Sequence, residues 1–255
     1  MNFKRTQFKN KLILFVFFIL LFCSLSFSLK PDYSKLKQAE NFYRRGEYKK
    51  ALEIYKNIEK KLINYEIYYN IGNIYFKLKK YPMAKVYYLR AYRIKQNDTD
   101  LKHNLKAVEL HLKDKIRMPT PDPFTKLLEK FKNSFSLNQF LIFSMIVLFM
   151  ISIIFTFYKG KYKNIIMYFF IILFIISVIM DVKKWDDYRT KKYVLLKNKV
   201  EVKSEPTDRA NSVFIIHEGM DFKIKDKLSG WYLIVLKNGF RGWVKLEKSK
   251  DFIKI

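Results

Sequence analysis

The sequence predicts a multi-module α and β chain: a short all-α helical solenoid, a membrane-crossing helical hairpin and a small C-terminal β-barrel. Three observations carry that reading. Two charge-free apolar runs lie six residues apart in the middle of the chain. Before them, tyrosines and alanines recur at a spacing of 33 residues in a helical segment. After residue 192 the apolar period changes from 3.6 to 2.

Composition narrows the class. With 50% hydrophobic and 29% charged residues, the chain is too apolar for a disordered protein and too charged for a polytopic transporter. Lys and Arg number 50 against 23 Asp and Glu, a formal charge of +27. The excess is spread, with 21 bases and 10 acids in residues 31–117 and 18 and 10 in residues 183–255. A nucleic-acid reader gathers its bases on one face or tail, so no nucleic-acid partner is expected. Anionic lipid head groups are the expected electrostatic partner, although an AT-rich genome would give the same abundance of Lys, Asn, Ile, Phe and Tyr. The single cysteine, Cys23, excludes a disulfide framework or a cysteine metal site within one chain.

Residues 1–28 have the layout of a signal peptide. Lys4, Arg5, Lys9 and Lys11 precede the apolar run Leu12 to Phe27, and Ser26-Phe27-Ser28 is a small-x-small cleavage pattern. An uncleaved signal anchor gives the same downstream topology. Residues 140–158 form the first expected span, without a charge, and residues 165–182 the second, with Trp185 and Tyr188 at the level of an interfacial belt. The loop 159–164 holds three lysines and no acid, which places it in the cytoplasm under the positive-inside rule. The soluble parts on both sides of the hairpin are therefore expected outside the cytoplasm, at the cytoplasmic (inner) membrane. Ser144 and Ser152 share a helix face that either packs on the second span or faces lipid. Asp181, at the membrane edge, reads as a solvated end residue.

Residues 33–117 carry the repeat. Tyr48 and Tyr81, Ala51 and Ala84, and Tyr55 and Tyr88 are the matching pairs, and Asn70-Ile71 is answered by Asn104-Leu105. With Gly72 ahead of Ala84, and Ala39 ahead of Ala51, the pattern resembles the tetratricopeptide repeat, whose period is about 34 residues. The resemblance implies that these small residues let paired helices approach, and that residues from Asp100 to Arg117 form a cap without a partner helix. It also implies a concave surface for protein segments, built on first-helix positions: Glu40, Tyr43 and Arg44, then Tyr69, Asn73, Phe76 and Lys77. Leu36 and Glu40 stand where the family's carboxylate clamp needs other residues, so that clamp is not expected. Tyr75 and Tyr88 read as core; Tyr69 and Phe76 read equally as core or as contact residues.

Residues 118–139 form the bridge. Pro119, Pro121 and Pro123 alternate in a semi-rigid spacer. Leu127, Leu128, Phe131 and Phe135 then recur at three and four, flanked by Lys126, Lys130 and Lys132, which reads as an amphipathic helix on the membrane surface.

Residues 190–255 form the β module. Alternation at Val200–Lys203 and Asp221–Lys225, a dense run at Trp231–Leu236 expected to be central, and turn signals at Ser229-Gly230 and Asn238-Gly239 suggest five short strands. Val200 to Pro206, Ile216 to Gly219, Gly230-Trp231-Tyr232 and Gly242-Trp243-Val244 resemble the bacterial SH3-like domain. That likeness implies a small barrel in which Trp231, Tyr232 and Trp243 either close the core or touch a ligand such as cell-wall peptide.

No phosphate-binding loop, dinucleotide fingerprint, zinc-helix, nucleophile-elbow or paired-cysteine motif occurs. His103 and His111, two helical turns apart, are about 12 Å apart and cannot share one metal ion. No enzyme activity, cofactor or metal is expected. The order of parts resembles BatE-type proteins of the Bacteroides aerotolerance set. That resemblance implies a membrane-bound scaffold that assembles with von Willebrand factor A-domain proteins in a complex linked to stress tolerance. The alternative from the residues is a cell-envelope (peptidoglycan) binder or sensor acting through the SH3-like module.

Overall fold

The computed structural model describes residues 33–114 and 122–255. The signal peptide, Cys23, Pro119 and Pro121 lie outside the described residues. The described residues form two compact units: Leu137–Trp185, and residues 33–114 and 122–136 together with 186–255.

The first unit holds two helices long and apolar enough to cross a membrane. Helix α7 runs from Leu137 to Phe157, and the described part of α8 from Lys163 to Arg189 extends beyond it, its final turn belonging to the other unit. At about 1.5 Å per residue, 21 residues of α7 reach roughly 30 Å. Ser144 is buried and its hydroxyl donates to Asp181 at 2.5 Å. Asp181 is therefore half-buried against the neighbouring helix and is not the solvated end residue the sequence suggests. Ser144 serves helix pairing because a carboxylate in apolar surroundings needs a donor.

The second unit begins with five helices in antiparallel succession: α1 (Tyr33–Arg44), α2 (Tyr48–Glu59), α3 (Tyr65–Lys77), α4 (Tyr81–Ile94) and α5 (Thr99–His111). Local chemistry sets their ends. Asn64 caps α3 through Glu66 N–H at 2.8 Å, and Asp98 caps α5 through Leu101 N–H at 3.0 Å. The ends of α1 and α3 repeat one motif 33 residues apart. Gly46 N–H donates to Tyr43 and Glu47 N–H to Phe42; Lys79 N–H donates to Phe76 and Lys80 N–H to Tyr75. This closing motif needs a positive φ, taken by Gly46 at 79° and, against side-chain preference, by Lys79 at 58°.

Ala39, Ala51 and Ala84 are fully buried, as close helix packing requires. The nearest atoms above Gly72 belong to the ring of Tyr88, and an added Cβ would sit 2.5 Å from it. Gly72 thus makes room for an aromatic ring.

Helix α6 runs from Pro123 to Ser134. Pro123 is its first residue and Asp122 its cap, accepting from Thr125 N–H at 2.9 Å. Pro123 therefore opens a helix instead of extending the spacer, because its fixed φ suits that position. Phe124, Leu127, Leu128, Phe131 and Phe135 are all exposed. Lys132 pairs with Asp187 at 2.6 Å, and Asn97 donates to Ser134 O at 3.3 Å.

The β module has seven described strands where five are expected: β1 (Lys192–Leu195), β2 (Lys199–Lys203), β3 (Ser212–His217), β4 (Asp221–Leu228), β5 (Trp231–Leu236), β6 (Arg241–Lys245) and β7 (Phe252–Lys254). Their order is β3-β2-β6-β5-β4-β1-β7, all pairs antiparallel, with β5 in the middle as its dense apolar run predicts. Gly239 turns the β5–β6 hairpin at φ 87°. Val200, Val202, Ile216, Phe222, Tyr232, Ile234, Val244 and Phe252 form its core.

Candidate functional site

The seven residues predicted for the concave face sit on α1 and α3, and the structure ties some of them together. Tyr88 OH donates to Asn73 Oδ1 at 2.7 Å. Asn104, on α5, donates to the same oxygen at 3.1 Å and to Tyr69 OH at 3.0 Å. Tyr69 also stacks on Tyr65 at 5.7 Å and lies 6.0 Å from Tyr88. Two alternate helices thus present a fixed row of half-buried polar groups. Burial pushes the Tyr88 phenol far up, with the Tyr69 and Tyr43 phenols adding to it, so Tyr88 stays a neutral donor.

The other predicted residues flank this row. Tyr43 packs edge-on against Tyr48 at 5.4 Å; burial first, then the phenols of Tyr48 and Tyr69, raise its pKa. Phe76 lies 5.6 Å from both Tyr81 and His111. Glu40 and Arg44 are exposed and joined by a 2.6 Å ion pair. Lys77 is exposed and has no ion pair among the described residues. Asn104 was legible only as an echo of Asn70; its bond to Asn73 was not.

In the β module, Tyr232 belongs to the core and lies 5.3 Å from Phe252. Trp231 is buried with Lys245 at 5.6 Å above its ring, and Trp243 is half-buried on the strand face shared with Trp231. The three rings therefore divide between the two faces of the sheet.

Sequence reasoning missed the junction between the helical repeat and the β module. The hydrophobic core of α1–α4 includes Val194 of β1 and Ile255. Across it, Lys85 of α4 donates to Asp221 Oδ1 at 2.8 Å and to Gly219 O at 2.9 Å. The Lys85 and Asp221 side chains are each 7% exposed. Burial alone would push the Asp221 carboxyl up; the ammonium groups of Lys85 and Lys237 outweigh it and hold the carboxyl below its ordinary range. Arg90 donates to Lys254 O at 3.0 Å and Arg93 to Ile255 O at 2.6 Å.

At the other end of the junction, Asp114 accepts from His217 N–H at 2.5 Å and lies 2.8 Å from His217 Nδ1. Leu112 presses on Gly219, where a Cβ would sit 2.4 Å from a Leu112 methyl. A cavity of about 430 Å³ opens beside this contact; Lys79, Lys80 and Lys113 on its wall outnumber the one carboxylate, Glu218. The helical repeat and the β module are one body, joined by shared apolar core and buried charge.

Among the described residues no cluster of three or more His, Cys, Asp or Glu has the geometry to hold a metal ion. Comparison with curated proteins gives no match. Residues 65–98, which make up α3, α4 and the turn after them, match the family model of the tetratricopeptide repeat. The tetratricopeptide match suggests a protein-interaction role, and two described helices are long and apolar enough to cross a membrane.

Proposed function

We propose that the protein is a membrane-anchored, non-enzymatic scaffold. Its repeat captures a segment of a protein partner while α7 and α8 hold it at the bilayer. The observation that carries this reading is the tetratricopeptide match at α3–α4, whose Tyr69 and Asn73 are held by Asn104 of the next helix, α5. A fixed row of donors and acceptors lowers the ordering cost of binding. In this reading the repeat and the β module lie outside the cytoplasm at the inner membrane, supported by the lysine-rich loop 159–164 and the signal-like residues 1–28. The order of parts, similar to BatE-type proteins, supports membrane-bound von Willebrand factor A-domain proteins as the partners. Cell-wall peptide binding is less favoured, because two of its three candidate rings, Trp231 and Tyr232, are buried.

The test is a gentle-detergent pull-down of the tagged full chain from its own cells, with mass spectrometry of the recovered proteins. Membrane proteins carrying A-type von Willebrand domains should be recovered. Charge reversal at the exposed Arg44→Glu and Lys77→Glu should reduce that recovery. Recovery of wall fragments without protein partners would overturn the scaffold reading in favour of the envelope binder.

A further inference from the structure

The seven-stranded sheet has two edges, and the molecule treats them differently. Strand β7 is three residues long and lies against α4, where Arg90 and Arg93 bond the main chain at Lys254 and Ile255. Strand β3 is six residues long and pairs only with β2. Its sequence, Ser-Val-Phe-Ile-Ile-His, holds none of the lysines or prolines that blunt an edge. Phe214 and Ile216 turn to the core side, while Val213 and Ile215 are 57% and 42% exposed. Beside them Phe240, at the β5–β6 turn, is 60% exposed and its ring lies 6.0 Å from Phe214. Asp114 pins the far end of the strand by taking His217 N–H. Apart from His217, no described residue pairs with the outer backbone of β3, and its outward side chains Val213 and Ile215 are apolar.

We infer that β3 is a strand-addition site, which takes an extended segment of a protein partner as the next strand of the sheet. The unpaired backbone selects an extended main chain, and Val213 and Ile215 select apolar residues at alternate positions. Charge defines the rest. Lys199 faces the His217 end of β3, Arg209 lies in the loop entering it and Arg241 follows Phe240, and none of the three makes an ion pair among the described residues. Glu201, opposite Ile215, is a carboxylate at mid-strand; at the His217 end, Asp114, already bonded to His217, and Glu218 are outnumbered by Lys79, Lys80, Lys113 and Lys199. The fitting segment is apolar at its centre and acidic at its ends. A second copy of this chain fits poorly, because both copies would bring the same basic ends together. The inference rests on the scaffold reading and names a second contact for the same partner class.

The experiment uses the full chain in lipid nanodiscs and a synthetic nine-residue peptide, Glu-Glu-Val-Thr-Val-Thr-Val-Glu-Glu. Hydrogen exchange is followed by mass spectrometry over residues 212–217. Saturating peptide should slow exchange there by about tenfold or more, whereas the same peptide with proline for its central valine should not. Val213→Lys with Ile215→Lys, both at exposed positions, should weaken binding by about tenfold or more and leave exchange in β5 unchanged. No protection at saturation, or equal protection by the proline peptide, overturns the proposal. Slow exchange of 212–217 without peptide, appearing only when two chains share a disc, also overturns it and assigns the edge to a second copy. In the pull-down, partners recovered equally by the edge variant would sink this site and leave the scaffold standing. Loss of all partners from the unmodified chain would sink the scaffold itself.

Discussion

Replacing Lys85 or Asp221 tests whether the repeat and the β module unfold together. At 2.8 Å their attraction is about 6 kcal/mol at an effective dielectric constant near 20, offset by several kcal/mol of desolvation per ion. The intact pair is therefore near break-even, and the cost appears when one partner is left behind. In Lys85→Met, Asp221 keeps Lys237 at 2.8 Å, a lysine 46% exposed, so the remaining charge is still partly matched. The loss is expected at about 2–3 kcal/mol, including the unsatisfied Gly219 carbonyl. In Asp221→Asn, the Lys85 ammonium stays buried with only neutral acceptors, and the loss is expected at about 3–5 kcal/mol. For a unit of this size about 2–4 °C accompanies each kcal/mol. Lys85→Met should therefore lower Tm by roughly 4–12 °C, and Asp221→Asn by more. Lys85→Met with Asp221→Leu should lose less than the two single losses added together. The assay is far-ultraviolet melting of the full chain in nanodiscs, with hydrogen exchange in α4 and β5 read side by side. Both elements should loosen together in each variant. Shifts worth less than about 1 kcal/mol in both single variants, or α4 and β5 opening separately, would refute the argument from shared burial.

Other expectations follow from the same geometry. Gly72→Ala should destabilise by about 1–3 kcal/mol, since its Cβ would meet the buried Tyr88 ring at 2.5 Å; chemical denaturation reads this. Lys79→Gly should stabilise by about 0.5–1 kcal/mol by relieving the positive φ, as Gly46 already does one repeat earlier, and a rise in Tm reports it. Asp98→Ala should cost about 1 kcal/mol through lost capping of α5, with exchange at Leu101 N–H speeding first. Acid should act through both carboxylates. Asp98 is drawn down to about 2, chiefly by its bond to Lys95, and Asp221 is held low by Lys85 and Lys237 against the effect of burial. Both folded values lie below the unfolded one near 3.8, so their stabilisation is complete above that value and fades as pH falls through the folded values. Melting temperature should be flat from pH 7 to about 5 and fall below about 4, and Asp221→Asn should flatten the fall.

Much of the local structure was legible in the sequence. The 33-residue echo of Tyr48 in Tyr81 placed the repeat, because helix pairs that stack must repeat their apolar face. Asn238-Gly239 placed the β5–β6 turn, because few residues accept a positive φ. Two strands, β1 and β7, escaped notice because each is short and is fixed by distant partners: β1 pairs with β4 and β7, and β7 with β1 alone. Asp181 was misread because a sequence shows distance from the end of a span but not the hydroxyl on the next helix. Family position singled out Tyr69 and Asn73 as candidates but not Asn104 as their hydrogen-bond partner, since a bond between residues 31 apart leaves no periodic trace.

The sequence by itself determined the helices of the repeat, the apolar spans and the central strands of the β module, because periodicity, caps and turn residues act over a few neighbours. Only the tertiary structure decided that the repeat and the β module are one body, that the β7 edge is covered while the β3 edge has few partners among the described residues, and that Lys85 meets Asp221. Those contacts join residues as many as 164 positions apart. They depend on which surfaces exclude water together, a property that no local pattern of side chains encodes.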